Sequence, residues 1–201
     1  MNKFSRLLAV MTLTATAALA QPAPDELVMT TAQEVMQIIK ADKSVANDKN
    51  KLYQLVDAKV LPHFDFNRMT QLAMGRNWKV ATDEQKQTLV KEFRQLLVRT
   101  YSTSLSQYKN QTIDFKPTKV ADSDTETTVK TLVNQPGGSP VPIDYSMQKS
   151  AAGWKVYDVT VEGVSLVTNY RGEFNEQIRS AGVDGLIKTL ADKNRASEAG
   201  K

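Results

Sequence analysis

Few residues in this chain have the types and spacing that chemistry requires. There is one histidine, His63, and no cysteine. His63 sits in the connector Pro62-His63-Phe64 with no acidic or thiol neighbour at ligand spacing, so it cannot build a metal site alone. A nucleophile elbow, a glycine-rich phosphate loop and a paired-histidine helix are all missing from the sequence. The acid–base candidates that remain are Asp158 and the Tyr170-Arg171 pair. Asp158 interrupts an apolar run, and a buried carboxylate must be hydrogen-bonded or paired. Arg171, one helix away, is its natural partner. With no nucleophile or second carboxylate beside it, the Asp158–Arg171 pair is expected to hold a corner as an ion pair or cap. The alternative is a small-molecule enzyme on a cone-like α+β fold with Asp158 as base.

The corner in question is Gly153 to Phe174, the stretch that organises the rest of the chain. Trp154 to Val161 is rich in β-branched and aromatic residues and reads as a strand. Alternation places Trp154 and Val156 on one face and Tyr157, Val159 and Val161 on the other, so both faces read as apolar. After Glu162-Gly163 the period changes. Val164, Val167, Tyr170, Phe174 and Ile178 recur every three or four residues, the spacing of one helix face.

Upstream, helices are expected from Glu26 to Asp42, with Asp25 as N-cap, and from Asp48 to Val60, stopping before Pro62. Asp65 reads as the cap of a short helix ended by Gly75. Thr82-Asp83-Glu84-Gln85 is a capping-box pattern that opens the longest helix. There Phe93, Leu96, Leu97, Tyr101, Leu105 and Tyr108 share one face, and the helix spans roughly 40 Å. Period two then takes over at 112–116, 126–133 and 141–149, with Ile143, Tyr145 and Met147 facing one way. A closing helix follows Gly182, and Arg195 to Lys201 reads as frayed. The expectation is an α+β fold: a four-stranded antiparallel meander with helices before and after it. The apolar faces either interdigitate into a dry core or enclose a cavity. The hydroxyls of Tyr101, Tyr108, Tyr145, Tyr157 and Tyr170 suit the polar mouth of such a pocket.

Composition narrows the classes further. Lys3 and Arg6, an apolar run from Leu7 to Leu19 and Ala18-Leu19-Ala20 form a secretory signal with cleavage after Ala20. Removing residues 1–20 from 201 leaves a single domain of 181 residues, and losing Lys3 and Arg6 takes the net charge from +4 to +2. The basic residues are scattered among acids, so no nucleic-acid footprint is present. An exported protein without cysteine must hold itself together by packing alone.

Several stretches carry a resemblance that extends over nearly the whole mature chain. Trp154-Lys-Val-Tyr-Asp-Val, Glu162-Gly-Val-Ser-Leu-Val and Asn169-Tyr-Arg with Phe174 are similar to the signature of the MlaC family of periplasmic phospholipid-binding proteins, also described as the auxiliary component of toluene-tolerance ABC transporters. Val60-Leu-Pro-His-Phe-Asp-Phe, Leu72-Ala-Met-Gly-Arg-Asn-Trp and Gly182-Val-Asp-Gly-Leu resemble other parts of that family in the right order. The resemblance implies a soluble, monomeric periplasmic carrier with no cofactor and no catalytic residues, whose cargo is a phospholipid or a related lipid such as a hopanoid. It also implies two partners, an inner-membrane ABC transporter complex and an outer-membrane lipoprotein–porin complex. The acyl tails would lie in an apolar cavity between sheet and helices. The lining expected is Phe93, Leu96, Leu97, Tyr101, Leu105 and Tyr108 from the long helix, with Ile143, Tyr145, Met147, Trp154, Val156, Tyr157 and Val159 from the sheet. Val164, Val167 and Phe174 would complete it.

Overall fold

The computed structural model describes residues 21–106 and 111–199, so the expected export signal lies outside it. The amino-terminal part is helical: α1 (Pro24–Ala41), α2 (Lys43–Asn47), α3 (Lys49–Lys59), α4 (Phe66–Met74) and α5 (Asp83–Ser106). Their starts follow local chemistry. The Asp48 carboxylate accepts from the backbone N–H groups of Asn50 and Lys51, and that of Asp65 accepts from Arg68 N at 2.9 Å. Thr82 and Gln85 satisfy each other's backbone donors at 2.9 and 3.1 Å, which is the capping box expected from sequence. α1 begins earlier than expected. Ala23 occupies the N-cap position, Pro24 opens the helix, and Asp25 lies in the first turn.

The sheet is a meander of five antiparallel strands in sequential order, where sequence suggested four. They are β1 (Thr112–Phe115), β2 (Glu126–Asn134), β3 (Val141–Ser150), β4 (Gly153–Val161) and the two-residue β5 (Val164–Ser165). β5 exists because Glu162 and Gly163 both take positive φ, 50° and 82°, and turn the chain back tightly so that Val164 pairs with Val161. The helix α6 therefore starts only at Leu166 and runs to Ala199, broken at Gly182 by a φ of 70°. Of the stretch from Arg195 onward that sequence read as frayed, residues 195–199 belong to this helix, and 200–201 lie outside the described residues. Asn194 anchors this end by donating to the Glu92 carbonyl at 3.0 Å and its carboxylate at 2.8 Å.

Two layers result. Helices α4, α5 and α6 share a closed core of Met69, Met74, Leu89, Phe93, Leu97, Phe174 and Leu186, among others. The Phe93 ring meets Tyr170 and Phe174 edge-on at 5.0 Å each. The second core lies on the sheet, where Val129, Met147, Trp154 and Val156 pack beneath Leu27 and Val28 of α1, Phe64 and Val120. The connector before α4 completes this side. Phe64 forms a parallel bridge with Val156, and Asp65 N donates to the Val156 carbonyl at 2.8 Å.

Candidate functional site

The strand register decides which side chains share a surface. Residues paired across antiparallel strands point the same way. Thr127 pairs with Met147, Val129 with Tyr145, Thr131 with Ile143 and Val133 with Val141. Ile113 and Phe115 of β1 join the same face through Val133 and Thr131. On β4, Met147 pairs with Val156 and Ser146 with Asp158, which leaves Tyr157 as an extra residue in a β-bulge. The bulge inverts the alternation beyond it. Val159 and Val161, paired with Tyr145 and Ile143, return to the face of Trp154 and Val156.

β4 is thus not apolar on both faces, as its sequence suggested. One face gathers most of the apolar residues of β1 to β4, and the other carries Glu126, Thr128, Lys130, Asp144, Ser146 and Gln148 together with the pair Leu132–Pro142. Tyr157 belongs with the second set. Its ring lies 3.9 Å from the Arg68 guanidinium carbon and its hydroxyl donates to Glu126 at 3.3 Å, while Arg68 bonds the same carboxylate at 2.7 Å. The bond and charge of Arg68 hold the Glu126 carboxyl below its ordinary range.

The apolar face is not uniformly covered. Val129, Met147, Trp154 and Val156 are buried. Further along, Ile113, Phe115, Val133, Val141, Ile143, Tyr145, Val159 and Val161 are only half-buried. Val164 pairs with Val161 at the end of the row, 58% exposed. It does not sit on the helix face where its spacing from Val167 suggested. Two hydroxyls lie within the apolar surface. Thr131 Oγ1 donates to the Ile143 carbonyl at 2.8 Å, and burial pushes the Tyr145 phenol above its ordinary pKa despite a hydrogen bond with Thr131.

The residues expected to line one cavity therefore fall into two groups. Ile143, Tyr145, Met147, Trp154, Val156 and Val159 share the sheet face. Phe93, Leu96, Leu97, Val167 and Phe174 are buried in the closed helical core instead. Tyr101 lies at the edge of that core with its hydroxyl bonded to Tyr170, whose own phenol is pushed up to about 12, chiefly by burial. Tyr108 and the Leu105 side chain lie outside the described residues. Leu27 and Val28 of α1 pack on this sheet face and Val129 and Thr131 of β2 belong to it, and none of the four was named for the lining from the sequence. The alternation of Thr127, Val129, Thr131 and Val133 was the signal that could have found β2.

The corner is held differently from expectation as well. Asp158 does not meet Arg171. Its Oδ1 accepts from Val159 N at 2.8 Å and Val167 N at 3.0 Å, and its Oδ2 accepts from the Ser165 hydroxyl at 2.5 Å. Ser165 in turn accepts from Thr168 N at 3.0 Å. The first turn of α6 is thereby capped twice, with a carboxylate at the positive end of the helix dipole. Arg171 donates its Nε to the Leu72 carbonyl at 2.8 Å and fastens α6 to α4.

Two hollows lie in the helical layer. One, about 770 Å3, is lined by Arg76, Asn77, Arg171, Asn175 and Arg179. The other, about 140 Å3, lies beside Glu173, Glu176 and Lys193. Neither includes a residue of the sheet's apolar face. Burial and a nearby Lys155 lower the pKa of His63. Among the described residues no cluster of three His, Cys, Asp or Glu could hold a metal ion, and no helix is long and apolar enough to cross a membrane.

A helical layer around its own core, set against an antiparallel meander with one largely apolar face, defines an α+β protein. The family model described as "MlaC protein" matches residues 29–192, and the chain belongs to the MlaC family. It is similar to the toluene tolerance protein ttg2D of Pseudomonas putida, 28% identical over 173 residues covering 85% of this chain and 80% of that one. The intermembrane phospholipid transport system binding protein MlaC of Haemophilus influenzae is 27% identical over 181 residues, 86% of this chain and 83% of that one. Among solved structures, a phospholipid-binding protein from Ralstonia solanacearum, in complex with a phospholipid, superposes with a TM-score of 0.79. The two are 40% identical, and the match covers 86% of this chain and 97% of the other.

Proposed function

We propose that this protein is a periplasmic phospholipid carrier whose apolar sheet face receives the acyl chains. The observation that carries the reading is the graded exposure of that face, buried at Met147 and Val156 and half-open from Ile143, Tyr145 and Val159 outward to Val164. A phospholipid-bound relative that spans most of this chain supports the same cargo. The lining differs from the one read from sequence. In this reading Phe93, Leu96 and Leu97 of the long helix belong to the helical core and not to the lining.

Energetics define what such a carrier must do. Covering two acyl chains is worth on the order of 25 kcal/mol relative to water, at about 0.8 kcal/mol per methylene. A bilayer offers the chains nearly the same term, so exchange between membrane and carrier is close to balanced. Release through water would be prohibitively slow on that scale. Hand-over therefore takes place in docked complexes, with an outer-membrane lipoprotein–porin complex at one end and an inner-membrane ABC transporter at the other. The transporter supplies the direction. We infer a carrier rather than an enzyme because the one carboxylate suited to be a base, Asp158, is committed to three hydrogen bonds that build the corner.

Val159→Glu tests the placement by setting a charge in the half-open part of the face. Protein purified from a bacterial host is expected to lose most of its co-extracted phospholipid, measured by mass spectrometry against protein, while its circular dichroism is unchanged. Val164→Glu, at the exposed end of the row, folds without difficulty and is expected to lower the lipid content less. Undiminished phospholipid in both folded variants would move the tails off this face.

A further inference from the structure

The larger hollow in the helical layer has a chemistry that an apolar cargo does not explain. Three arginines converge on it from two elements. Arg76 comes from the short 3-10 segment Gly75–Lys79, and Arg171 and Arg179 come from α6. The α6 residues that line it, 171, 175, 178 and 179, are spaced as one stripe of a helix. The acids of the same helical stretch, Glu173 and Glu176, fall on the other side and line the smaller hollow. Among the described residues, no acidic one lines the arginine hollow. Among the described residues none of the three arginines forms an ion pair.

One of the three charges, Arg171, and the backbone beside it are fixed in advance. Arg171 spends only its Nε, on the Leu72 carbonyl, which immobilises the stem and leaves its two terminal nitrogens available. Asn77 Nδ2 donates to Asn175 Oδ1 at 2.8 Å and ties the 3-10 segment to α6 across the hollow. That bond leaves the Asn175 amide nitrogen as a further donor. Gly75 adopts a φ of 54°, and a Cβ there would come to 4.0 Å from Arg171 Cδ, so the backbone runs against the arginine stem. Like charges held together in this way are relieved by an anion. A carboxylate offers two oxygens in one plane and satisfies one guanidinium fork, whereas a phosphate offers its oxygens as a tetrahedron and engages several forks at once.

We propose that this hollow is a site for a phosphate-class anion, separate from the apolar sheet face. The group is either free phosphate or the phosphate of an anionic lipid headgroup presented at a membrane surface. The site requires nothing of the lipid-carrying reading above and stands if that reading fails.

The test uses the mature chain, with Arg76→Gln/Arg179→Gln as the disabling variant. Both residues are exposed and make no described bond that the fold depends on. Lys116→Gln/Lys119→Gln removes the same charge elsewhere as a control. In the first arm, inorganic phosphate is titrated at low salt while amide resonances are followed by NMR. Saturable shifts confined to residues 75–79 and 171–179 are expected, with affinity weakened by more than about tenfold in the arginine variant and unchanged in the control. In the second arm, retention on phosphatidylglycerol vesicles is compared with retention on phosphatidylcholine vesicles. Loss of phosphatidylglycerol retention in the arginine variant alone assigns the headgroup as the source, and an effect confined to the first arm assigns free phosphate. Equal behaviour of the two variants in both arms overturns the proposal. The co-purified phospholipid, measured in the same preparations, is expected to be unaffected by either variant.

Discussion

The helical core and the apolar sheet face draw on similar side chains and finish them differently. In the helices, Phe93, Phe174, Met69, Leu89 and Leu190 are closed off almost completely, and each aromatic ring meets another at its edge. On the sheet, Val129, Met147, Trp154 and Val156 are buried where α1, Phe64 and Val120 lie over them, while Ile143, Val159 and Val161 are half-buried and Val164 is exposed. The helices satisfy one another, so the outer sheet rows are free for something else. An apolar surface left half-covered costs stability in isolation and gains it when occupied.

The comparison predicts that stability and cargo separate by layer. Phe93→Ala removes a ring that two aromatic neighbours enclose, and is expected to lower unfolding free energy by about 3–5 kcal/mol in urea titrations. Phospholipid per folded molecule is expected to remain at the wild-type level. A folded Phe93→Ala protein depleted of lipid would break the comparison, because it would place the helical core in the cargo wall.

Asp158 joins the two layers, since it leaves the sheet and caps the first turn of α6. Asp158→Ala removes the acceptor that Val159 N–H and Val167 N–H share and leaves the Ser165 hydroxyl only Thr168 Oγ1, and is expected to destabilise by about 2–3 kcal/mol. Asp158→Asn retains one acceptor and should lose less. A calorimetric melt distinguishes these expectations from a catalytic role, in which the two substitutions would leave the melting temperature unchanged.

Features fixed by neighbours in sequence were legible before the structure. The Thr82–Gln85 capping box, the cap at Asp65, the helix start at Asp48 and the break at Gly182 are each decided within a few residues. Three of the four principal strands followed from period two, and β4 from its β-branched and aromatic residues. The bulge at Tyr157 was not legible, because nothing in β4 itself shows that one of its residues lacks a partner on β3. That single insertion moved Val159 and Val161 to the face of Trp154 and Val156 and left Tyr157 on the opposite one. Val164 misled for a related reason. Its three-residue spacing from Val167 imitates a helix, although the Glu162-Gly163 turn places it in a strand. Asp158 and Arg171 are the right types for an ion pair, but the N–H groups of the helix start lie nearer to the carboxylate than the guanidinium does. Amphipathic faces can be read from one sequence, whereas which faces meet depends on contacts far apart in it.

The smallest expected effect concerns the boundary of the closed layer. Tyr170 is packed against Phe93 and Phe174, and its phenol is pushed up to about 12, first by burial and then by the neighbouring Tyr101 and Glu173. The folded state therefore holds this proton more tightly than the unfolded chain, whose tyrosines titrate near 10. The contribution is fully present below about pH 10 and is lost as the pH rises towards 12. Tyr170→Phe keeps the ring and discards the proton. Its denaturation midpoint is expected to fall less steeply than the wild-type midpoint between about pH 10 and 12, with little difference between them at pH 7. Parallel alkaline slopes would mean that the Tyr170 hydroxyl is open to solvent, and that the helical core is no more sealed at this edge than the sheet face it was contrasted with.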